Sequence, residues 1–148
     1  MGCSICAHVE VLIDDDWHFY SAPIILRDPA LFACLRGEKQ TRPIPLGSKF
    51  LDKIQPNTAL GIPGDVSAVT NLLWLTHCQR FGGVFSPGWL DGASLHFLMQ
   101  YVYATVSSLY DLAELGDFFG IDWSDWSPST SIVAGSQRQV RLVYWFDS

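Results

Sequence analysis

Charged residues are scarce in this sequence, and basic residues are scarcer than acidic ones. Only 16% of the 148 residues are charged, with 9 Lys and Arg against 15 Asp and Glu, for a formal net charge of −6. Binding to nucleic acids or anionic membranes needs a basic face that displaces counterions from phosphates, so this composition argues against both partners. No stretch approaches the roughly 18 uninterrupted apolar residues of a transmembrane helix. The opening residues lack a basic segment, so we expect no secretory signal and a cytoplasmic protein.

Cysteine is also rare, and its spacing favours no metal or redox site. The chain has four cysteines. Cys3 and Cys6 form a lone CxxC on a predicted strand, where residues three apart point to opposite faces, and a zinc ribbon would need a second such pair. Cys34 and Cys78 lie in apolar helical patterns, where a free cysteine behaves as a small buried hydrophobe. We therefore predict a reducing compartment, no bound metal and no cofactor.

Alternating apolar and polar residues at the two ends of the chain predict strands. Residues 3–13 alternate, three aspartates at 14–16 predict a turn, and residues 17–22 would return as the second strand of a hairpin. Residues 137–147 alternate again and predict a closing strand.

Three helices are predicted between these strands. Asp28 is placed to cap the first helix and Gly37 to end it. The second begins after Asp65 or Ser67 and runs to about Arg80, and the third begins at Asp91 and continues to about residue 119. The inward side of the second helix is predicted to carry Val69, Leu72, Leu73 and Thr76. Segments rich in Pro, Gly or turn residues are predicted to be irregular at 38–64, 81–88 and 120–136.

With 49% hydrophobic residues, the chain can bury a core of ordinary size. The pattern predicts an α+β fold in a single domain over residues 1–148. Its small antiparallel sheet would be formed by the N-terminal hairpin and the C-terminal strand, and about three helices would pack against the sheet.

The first candidate site is a row of side chains, Cys6, His8 and Glu10, on the non-core face of the opening strand. His18 on the returning strand would be able to join them. Side chains along one strand are spread by roughly 6–7 Å per two residues, which is too far for several ligands to converge on a metal. The simpler expectation is a solvated sheet face with an exposed His and Glu.

Arginines and aromatic residues form the second set of candidates. Arginines lie beside predicted loops or on the closing strand, at Arg27, Arg36, Arg42, Arg138 and Arg141. Guanidinium groups suit bidentate recognition of phosphate or carboxylate, although for any single arginine a surface ion pair is the simpler expectation. Loop aromatics occur at Phe81, Phe85, Trp89, Trp123 and Trp126. Such aromatics stack on nucleobases, cover a core or form subunit interfaces, and the residues alone leave these roles open. Motifs of hydrolases, nucleotide-binding loops and metalloproteases are absent.

A series of short motifs runs along the chain in a recognisable order: Met1-Gly2-Cys3-Ser4-Ile5-Cys6 with Val9-Glu10-Val11, Trp17, Arg27-Asp28, Leu31-Phe32-Ala33, Gly61-Ile62-Pro63-Gly64-Asp65-Val66-Ser67, Ser86-Pro87-Gly88-Trp89-Leu90 and Arg141-Leu142-Val143-Tyr144-Trp145-Phe146-Asp147. In these motifs the chain resembles small proteins of tailed phages that begin Met-Gly-Cys-Asp-Ile-His. The chain departs from the family pattern at Ser4, Cys6 and Phe85, where the family has Asp, His and His. Loss of those polar groups favours binding over turnover.

By analogy with other small phage proteins, the resemblance implies an anti-defence protein in the cytoplasm of the infected bacterial host. Such a protein would bind and sequester a small anionic nucleotide immune signal, of the cyclic ADP-ribose type or a cyclic dinucleotide, without turnover and as a homo-oligomer. Aromatic rings would stack on the base, arginines would take the phosphates, and Glu10 or Asp147 would accept ribose hydroxyls. The candidate ligand-binding residues are His8, Glu10, His18, Arg27, Arg42, Trp89, Arg141, Trp145 and Asp147.

Two alternatives remain open. One is a phosphodiesterase-like hydrolase that cleaves such a signal and uses His8, Glu10 and His18, which requires both histidines to reach one phosphate. The other is an inhibitor that binds a host defence protein directly through an exposed apolar patch.

Overall fold

The computed structural model describes residues 4–23, 25, 27–38, 48–80, 83–106, 131–133 and 136–147, and it places six strands and four helices in them. The strands are β1 (Ser4–Ile13), β2 (Asp16–Ser21), β3 (Val84–Leu90), β4 (Ser131–Val133), β5 (Ser136–Arg138) and β6 (Val140–Asp147). The helices are α1 (Pro29–Leu35), α2 (Ser48–Leu51), α3 (Ala68–Cys78) and α4 (Gly92–Val106). None of these helices has the length and apolarity needed to cross a membrane.

Three of the four strands of the main sheet come from the two ends of the chain, as predicted. Its four strands are antiparallel in the order β2-β1-β6-β3, and β4 and β5 form a separate two-stranded sheet. Asp14 and Asp15 join β1 to β2 with positive φ angles of 51° and 68°. Two such residues between closely paired strands form a type I′ turn, whose twist matches that of the hairpin. The α+β prediction is confirmed.

Strand β3 corrects the prediction of an irregular segment at 81–88. Its sequence contains Ser86-Pro87-Gly88, which lacks the composition of an ordinary strand. The chain accommodates these residues because β3 lies at the edge of the sheet, where a proline costs no ladder bond, and because the register with β6 shifts between Phe85 and Gly88. The short helix α2 likewise lies inside the segment 38–64 that was predicted to be irregular.

One face of the sheet, which we call the core face, packs against α1, α2 and α4. The strands contribute Val9, Val11, Leu142, Tyr144 and Phe146, all buried. The helices contribute Leu31, Phe32, Leu35, Leu51, Leu95, Leu98, Met99 and Tyr101.

Helix α1 begins where the sequence predicts. Oδ1 of Asp28 accepts hydrogen bonds from the backbone N–H groups of Ala30 and Leu31, and Gly37 follows the helix with a φ of 77°. Oδ2 of Asp28 also accepts from the Tyr101 hydroxyl at 2.7 Å, which ties the cap of α1 to α4.

The opposite face of the sheet, the α3 face, is covered by α3. Ser67 caps this helix by accepting from the Thr70 N–H. The predicted inward side of α3 is wrong, because Val69 and Leu72 face solvent and Thr76 is exposed. The buried residues of the helix are Thr70 and His77.

Three further predictions differ from the structure or extend beyond it. Cys34 is half-buried, whereas Cys78 is exposed near the end of α3 rather than buried. The predicted third helix continues as α4 to Val106, and its remaining part lies outside the described residues.

Candidate functional site

A buried ion pair lies at the centre of the α3 face. Glu10 of β1 and Arg141 of β6 are directly opposite each other in the antiparallel ladder, and their exposed fractions are 0% and 4%. Nε and Nη2 of Arg141 donate to the same oxygen of Glu10, Oε1, at 3.0 and 2.9 Å. Residues that pair directly in an antiparallel ladder point to the same face of the sheet. The opposite charges of Glu10 and Arg141 are therefore close enough to form an ion pair.

Two more contacts complete the surroundings of Arg141. Its Nη1 donates to Oδ1 of Asp65 at 3.0 Å, and its Nη2 also donates to the Asp65 carbonyl at 3.3 Å. The guanidinium carbon lies 4.0 Å from the centre of the Trp17 ring, which is a close cation–π contact. Each nitrogen of the guanidinium therefore donates to a group of this chain. Two carboxylates share one positive charge, so the cluster carries a net negative charge.

The second oxygen of Glu10 connects the sheet to α3. Oε2 accepts from the Ser67 N–H at 2.8 Å, at the residue that caps the helix. The Ser67 hydroxyl donates to Oγ1 of Thr70 at 3.0 Å, and Oγ1 of Thr70 lies 2.9 Å from Nδ1 of His8. The Thr70 hydroxyl therefore links Ser67 to the ring of His8, and the direction of the bond to His8 depends on which ring nitrogen carries the proton. We call the five residues His8, Glu10, Ser67, Thr70 and Arg141 the polar network.

The histidines of the α3 face are held in their neutral form. Burial lowers the pKa of His8, and the nearby Glu10 carboxylate only partly opposes this effect. Burial also lowers the pKa of His77, and the charge of Arg80 lowers it further. Nδ1 of His77 accepts from Nε1 of Trp145 at 2.9 Å, an arrangement that requires an unprotonated Nδ1. These rings serve as hydrogen-bonding partners inside the protein.

Most of the predicted site residues lie on the α3 face, namely His8, Glu10, Trp89, Arg141, Trp145 and Asp147. The expectation that the row of Cys6, His8 and Glu10 is solvated is wrong. His8 is 4% exposed, Glu10 is fully buried and Cys6 is half-buried, because α3 packs over this part of the sheet. Their predicted role in ligand binding stays a prediction.

Trp145 and Asp147 have partners on the same face. Trp145 is fully buried, with its ring 5.2 Å from that of Trp74 and 5.7 Å from that of His77. Asp147 accepts a hydrogen bond from the Ser4 hydroxyl across the ladder between β1 and β6.

His18 does not join His8. It is opposite Val11 in the ladder, so it belongs to the core face, where it is exposed beyond the packed helices. His8 belongs to the α3 face, and the sheet separates the two rings. The neighbour of His8 on β2 is Phe19, whose ring centre is 4.8 Å away.

The remaining predicted ligand-binding residues are Arg27 and Arg42. Arg27 is exposed and lines a cavity of about 290 Å³ beside the first half of β1. The β1–β2 ladder ends at Val9 and Ser21, and the chain beyond β2 diverges from β1 there. The walls of the cavity include Ser4, Cys6, Ala22, Pro23, Ile25 and Phe32. Arg42 lies outside the described residues.

The Cys6 thiol is held in its protonated form. Burial raises its pKa to about 11, the charge of Asp147 acts in the same direction, and Arg80 partly opposes both. A protonated thiol is a weak nucleophile and a poor metal ligand, so Cys6 is suited to neither role. In the part of the chain that the structure describes, no group of three or more His, Cys, Asp or Glu side chains is arranged to hold a metal ion.

Four residues of the polar network and of the surroundings of Arg141 are not predicted as site residues by the sequence. Asp65 and Ser67 are predicted only as candidate helix caps, and no site signal marks Thr70 or Trp17. The cap signal was available, because Ser67 precedes an uninterrupted helical segment. The contacts to Glu10 and Arg141 were not, because they join residues 57 and 76 positions apart in the sequence.

The chain matches no family model, no curated protein and no solved structure.

Proposed function

We propose that the protein acts by binding, and that it holds a small anionic nucleotide in the cavity beside Arg27 without converting it. The observation that carries this proposal is the composition of the cavity. Apolar side chains such as Ile25, Pro23 and Phe32 form much of its wall, and Arg27 adds a positive charge. Ligand sites commonly combine apolar walls with a few polar groups that orient the ligand.

The size of the cavity limits what it holds. A volume of about 290 Å³ lies just below the roughly 300–1,000 Å³ of small-molecule sites. A volume of this size suits one base with its sugar, whereas a complete dinucleotide would extend out of the cavity. In this arrangement the base packs against the apolar wall and Arg27 pairs with a phosphate at the opening.

The geometry of the histidines supports binding over hydrolysis. The hydrolase alternative needs His8 and His18 at one phosphate, but these residues lie on opposite faces of the sheet. Glu10 and Arg141 bond to each other, and their remaining hydrogen-bonding groups contact Ser67 and Asp65. This arrangement leaves the candidate acid–base groups occupied within the protein.

The biological role that follows from this proposal is sequestration. The resemblance to small phage proteins supports an anti-defence role. An anti-defence protein that removes an immune signal in the host cytoplasm is expected to retain the nucleotide intact. Stoichiometric binding suffices for such a role, because each protein molecule withdraws one signal molecule without any chemical step.

The test of this proposal is to incubate the purified protein with cyclic ADP-ribose-type and cyclic dinucleotide signals, together with single nucleotides. Free ligand is separated by ultrafiltration, the protein is heat-denatured, and the released material is analysed by chromatography and mass spectrometry. A compound that disappears and returns with its mass unchanged supports sequestration. Conversion to a new mass establishes an enzyme, and a panel that stays free and unchanged overturns the nucleotide proposal.

Replacement of Arg27 by alanine locates the site. Hydrogen bonds to charged groups contribute roughly 1.5–3 kcal/mol, so we expect Arg27→Ala to weaken binding about 10- to 100-fold in calorimetric titration. Lys53→Ala removes a cation from another exposed position and is the matched control. Ala22→Trp, which fills the cavity from its wall, should abolish binding. Unchanged affinity in both cavity variants would place the ligand elsewhere.

A further inference from the structure

Several apolar residues of helix α3 face solvent, whereas a helix on the surface of a monomer normally turns its apolar residues towards the protein. Helix α3 buries the polar residues Thr70 and His77 against the sheet. Its outward side carries Val69, Leu72 and Leu75, which are 52%, 69% and 50% exposed. These residues follow each other at intervals of three, so they form one apolar surface along the helix. We call them the outer apolar face of α3.

The charges around this face are arranged at its two ends. No Asp, Glu, Lys or Arg occurs between Asp65, just before the cap of the helix, and Arg80, just after its end. An exposed helix of a protein that stays monomeric normally carries charged residues on its solvent side. Here the solvent side is uncharged over its whole length, with one acid before it and one base after it.

We propose that α3 pairs with α3 of a second copy of this chain, antiparallel about a two-fold axis near Leu72. In such a pair Val69 lies opposite the second copy's Leu75, and Asp65 lies next to that copy's Arg80. The acid and the base at the ends of the face are therefore complementary to those of a second copy only in the antiparallel orientation. The dipoles of the two helices oppose each other in the same orientation.

Asp65 is exposed enough to contact Arg80 of a second copy in addition to Arg141 of its own chain. Although its Oδ1 accepts from Arg141, 71% of its side chain is exposed. Its other oxygen is therefore accessible to a guanidinium from outside. A self-complementary patch of this kind is the isologous interface from which two-fold dimers are built.

The length of the helix limits the strength of the dimer. The eleven residues of α3 extend only about 16 Å, so one face of this helix is too small to bury the roughly 800 Å² per partner of a stable interface. We therefore expect a dimer that dissociates on dilution. This proposal does not depend on nucleotide binding, because the residues that line the cavity beside Arg27 are 4–7, 22, 23, 25, 27 and 32, and none of them belongs to α3.

Sedimentation of the full chain over a range of concentrations tests the proposal. We expect dimers that dissociate as the protein is diluted. Leu72→Glu places a carboxylate at the axis, opposite its own copy, and should lower the association constant at least about 100-fold, since burial of an unpaired charge costs several kcal/mol. Because Leu72 is mostly exposed in one molecule, the variant should keep its circular dichroism and its Tm at low concentration. Leu60→Glu changes an even more exposed leucine outside α3 and should leave the dimer unchanged.

Arg80→Glu distinguishes the two orientations of the helices. In the antiparallel pair it sets a glutamate beside Asp65 of the other copy and should weaken the dimer, more strongly at low salt than at high salt. A chain that stays monomeric up to about 100 μM, well above the micromolar affinities of weak specific complexes, would overturn the proposal. So would a dimer that persists in Leu72→Glu, or a monomer that binds a host protein through Leu72.

Discussion

Glu10 and Arg141 place opposite charges in the interior of the protein, where an unpaired charge costs several kcal/mol. The pair is tolerated because each group has further partners: the Ser67 N–H for Glu10, and Asp65 and the Trp17 ring for Arg141. The two carboxylates that contact the guanidinium differ greatly in burial. Glu10 is fully buried, whereas 71% of the Asp65 side chain is exposed.

This difference predicts unequal effects of two matched substitutions. Glu10→Gln removes the buried partner of Arg141 and should lower the free energy of unfolding by about 3–5 kcal/mol, as expected when a buried ion pair is broken. Asp65→Asn removes a carboxylate from the same guanidinium at the surface and should cost no more than about 1 kcal/mol. Urea denaturation of both variants measures the difference. Equal losses would show that burial does not determine the strength of these contacts.

At the scale of the elements, the turn between β1 and β2 requires two positive φ angles, and its aspartates add charge repulsion to the backbone strain. Asp14 and Asp15 adopt positive φ angles, which residues other than Gly, Asn and Asp rarely do, and a third aspartate follows at position 16. Their charges repel each other in a short exposed turn. The backbone conformation is that of the Asn-Gly turns that favour two-residue hairpins.

Replacement of this turn should therefore stabilise the protein. Asp14→Asn with Asp15→Gly keeps the positive φ angles at lower strain and removes two of three adjacent negative charges. We expect the free energy of unfolding to rise by roughly 0.5–2 kcal/mol, because each left-handed residue other than glycine costs about 1–2 kcal/mol. The urea midpoint should shift upward with an unchanged m-value, and a downward shift would contradict the proposed source of strain.

Helix α3 shows why an element can be predicted while its orientation is not. Its cap and its uninterrupted helical sequence are local features, and the sequence predicts the helix with Ser67 as one of two candidate caps. The side that faces the sheet is determined by the partners available there. Glu10 offers a carboxylate to the capping residue and His8 offers a ring nitrogen to Thr70, so the polar side of the helix turns inward.

At the scale of the whole molecule, β6 is the strand around which the fold is organised. It lies between β1 and β3, and its residues from Val140 to Phe146 are all buried because helices cover both faces of the sheet. A strand that is buried on both faces needs side chains that suit two environments. Leu142 and Tyr144 meet the apolar core, whereas Arg141 and Trp145 meet the polar residues under α3.

The stability of the whole domain should fall at mildly acidic pH. Burial lowers the pKa values of His8, His77 and His96, so each binds a proton less readily in the folded state than in the unfolded state. Between the unfolded pKa of about 6.5 and the lower folded pKa, the unfolded state binds more protons, and stability therefore rises with pH. We expect stability to be retained at pH 7 and lost as the pH falls below 6.5, with a slope of up to about 1.4 kcal/mol per pH unit for each histidine.

Urea denaturation between pH 5 and pH 8 measures this effect. His77→Gln should flatten the dependence, since glutamine keeps a polar group near Trp145 but does not titrate. Asn71→Gln, at an exposed position of α3 that does not titrate, is the control and should leave the slope unchanged. A steady increase in stability from pH 7 to pH 5 would contradict the inferred direction of the histidine pKa shifts.

Features that depend on neighbours in sequence were determined by the sequence itself. Alternation places Val9 and Val11 on the core face of β1, Asp28 caps α1, and the α+β class follows from the order of these elements. A period of two or 3.6 residues and a capping side chain act within a few positions, so they can be recognised in the chain alone.

Only the tertiary structure decided that His8 and Glu10 are buried, that His18 lies on the other face, and that Arg141 bonds to two carboxylates of the chain. These outcomes depend on contacts between residues as much as 131 positions apart. The same strand pattern allows a solvated face or a covered one. Burial under α3 determines which occurs, because a charged or polar group that loses water must obtain its hydrogen bonds from whatever element packs against it.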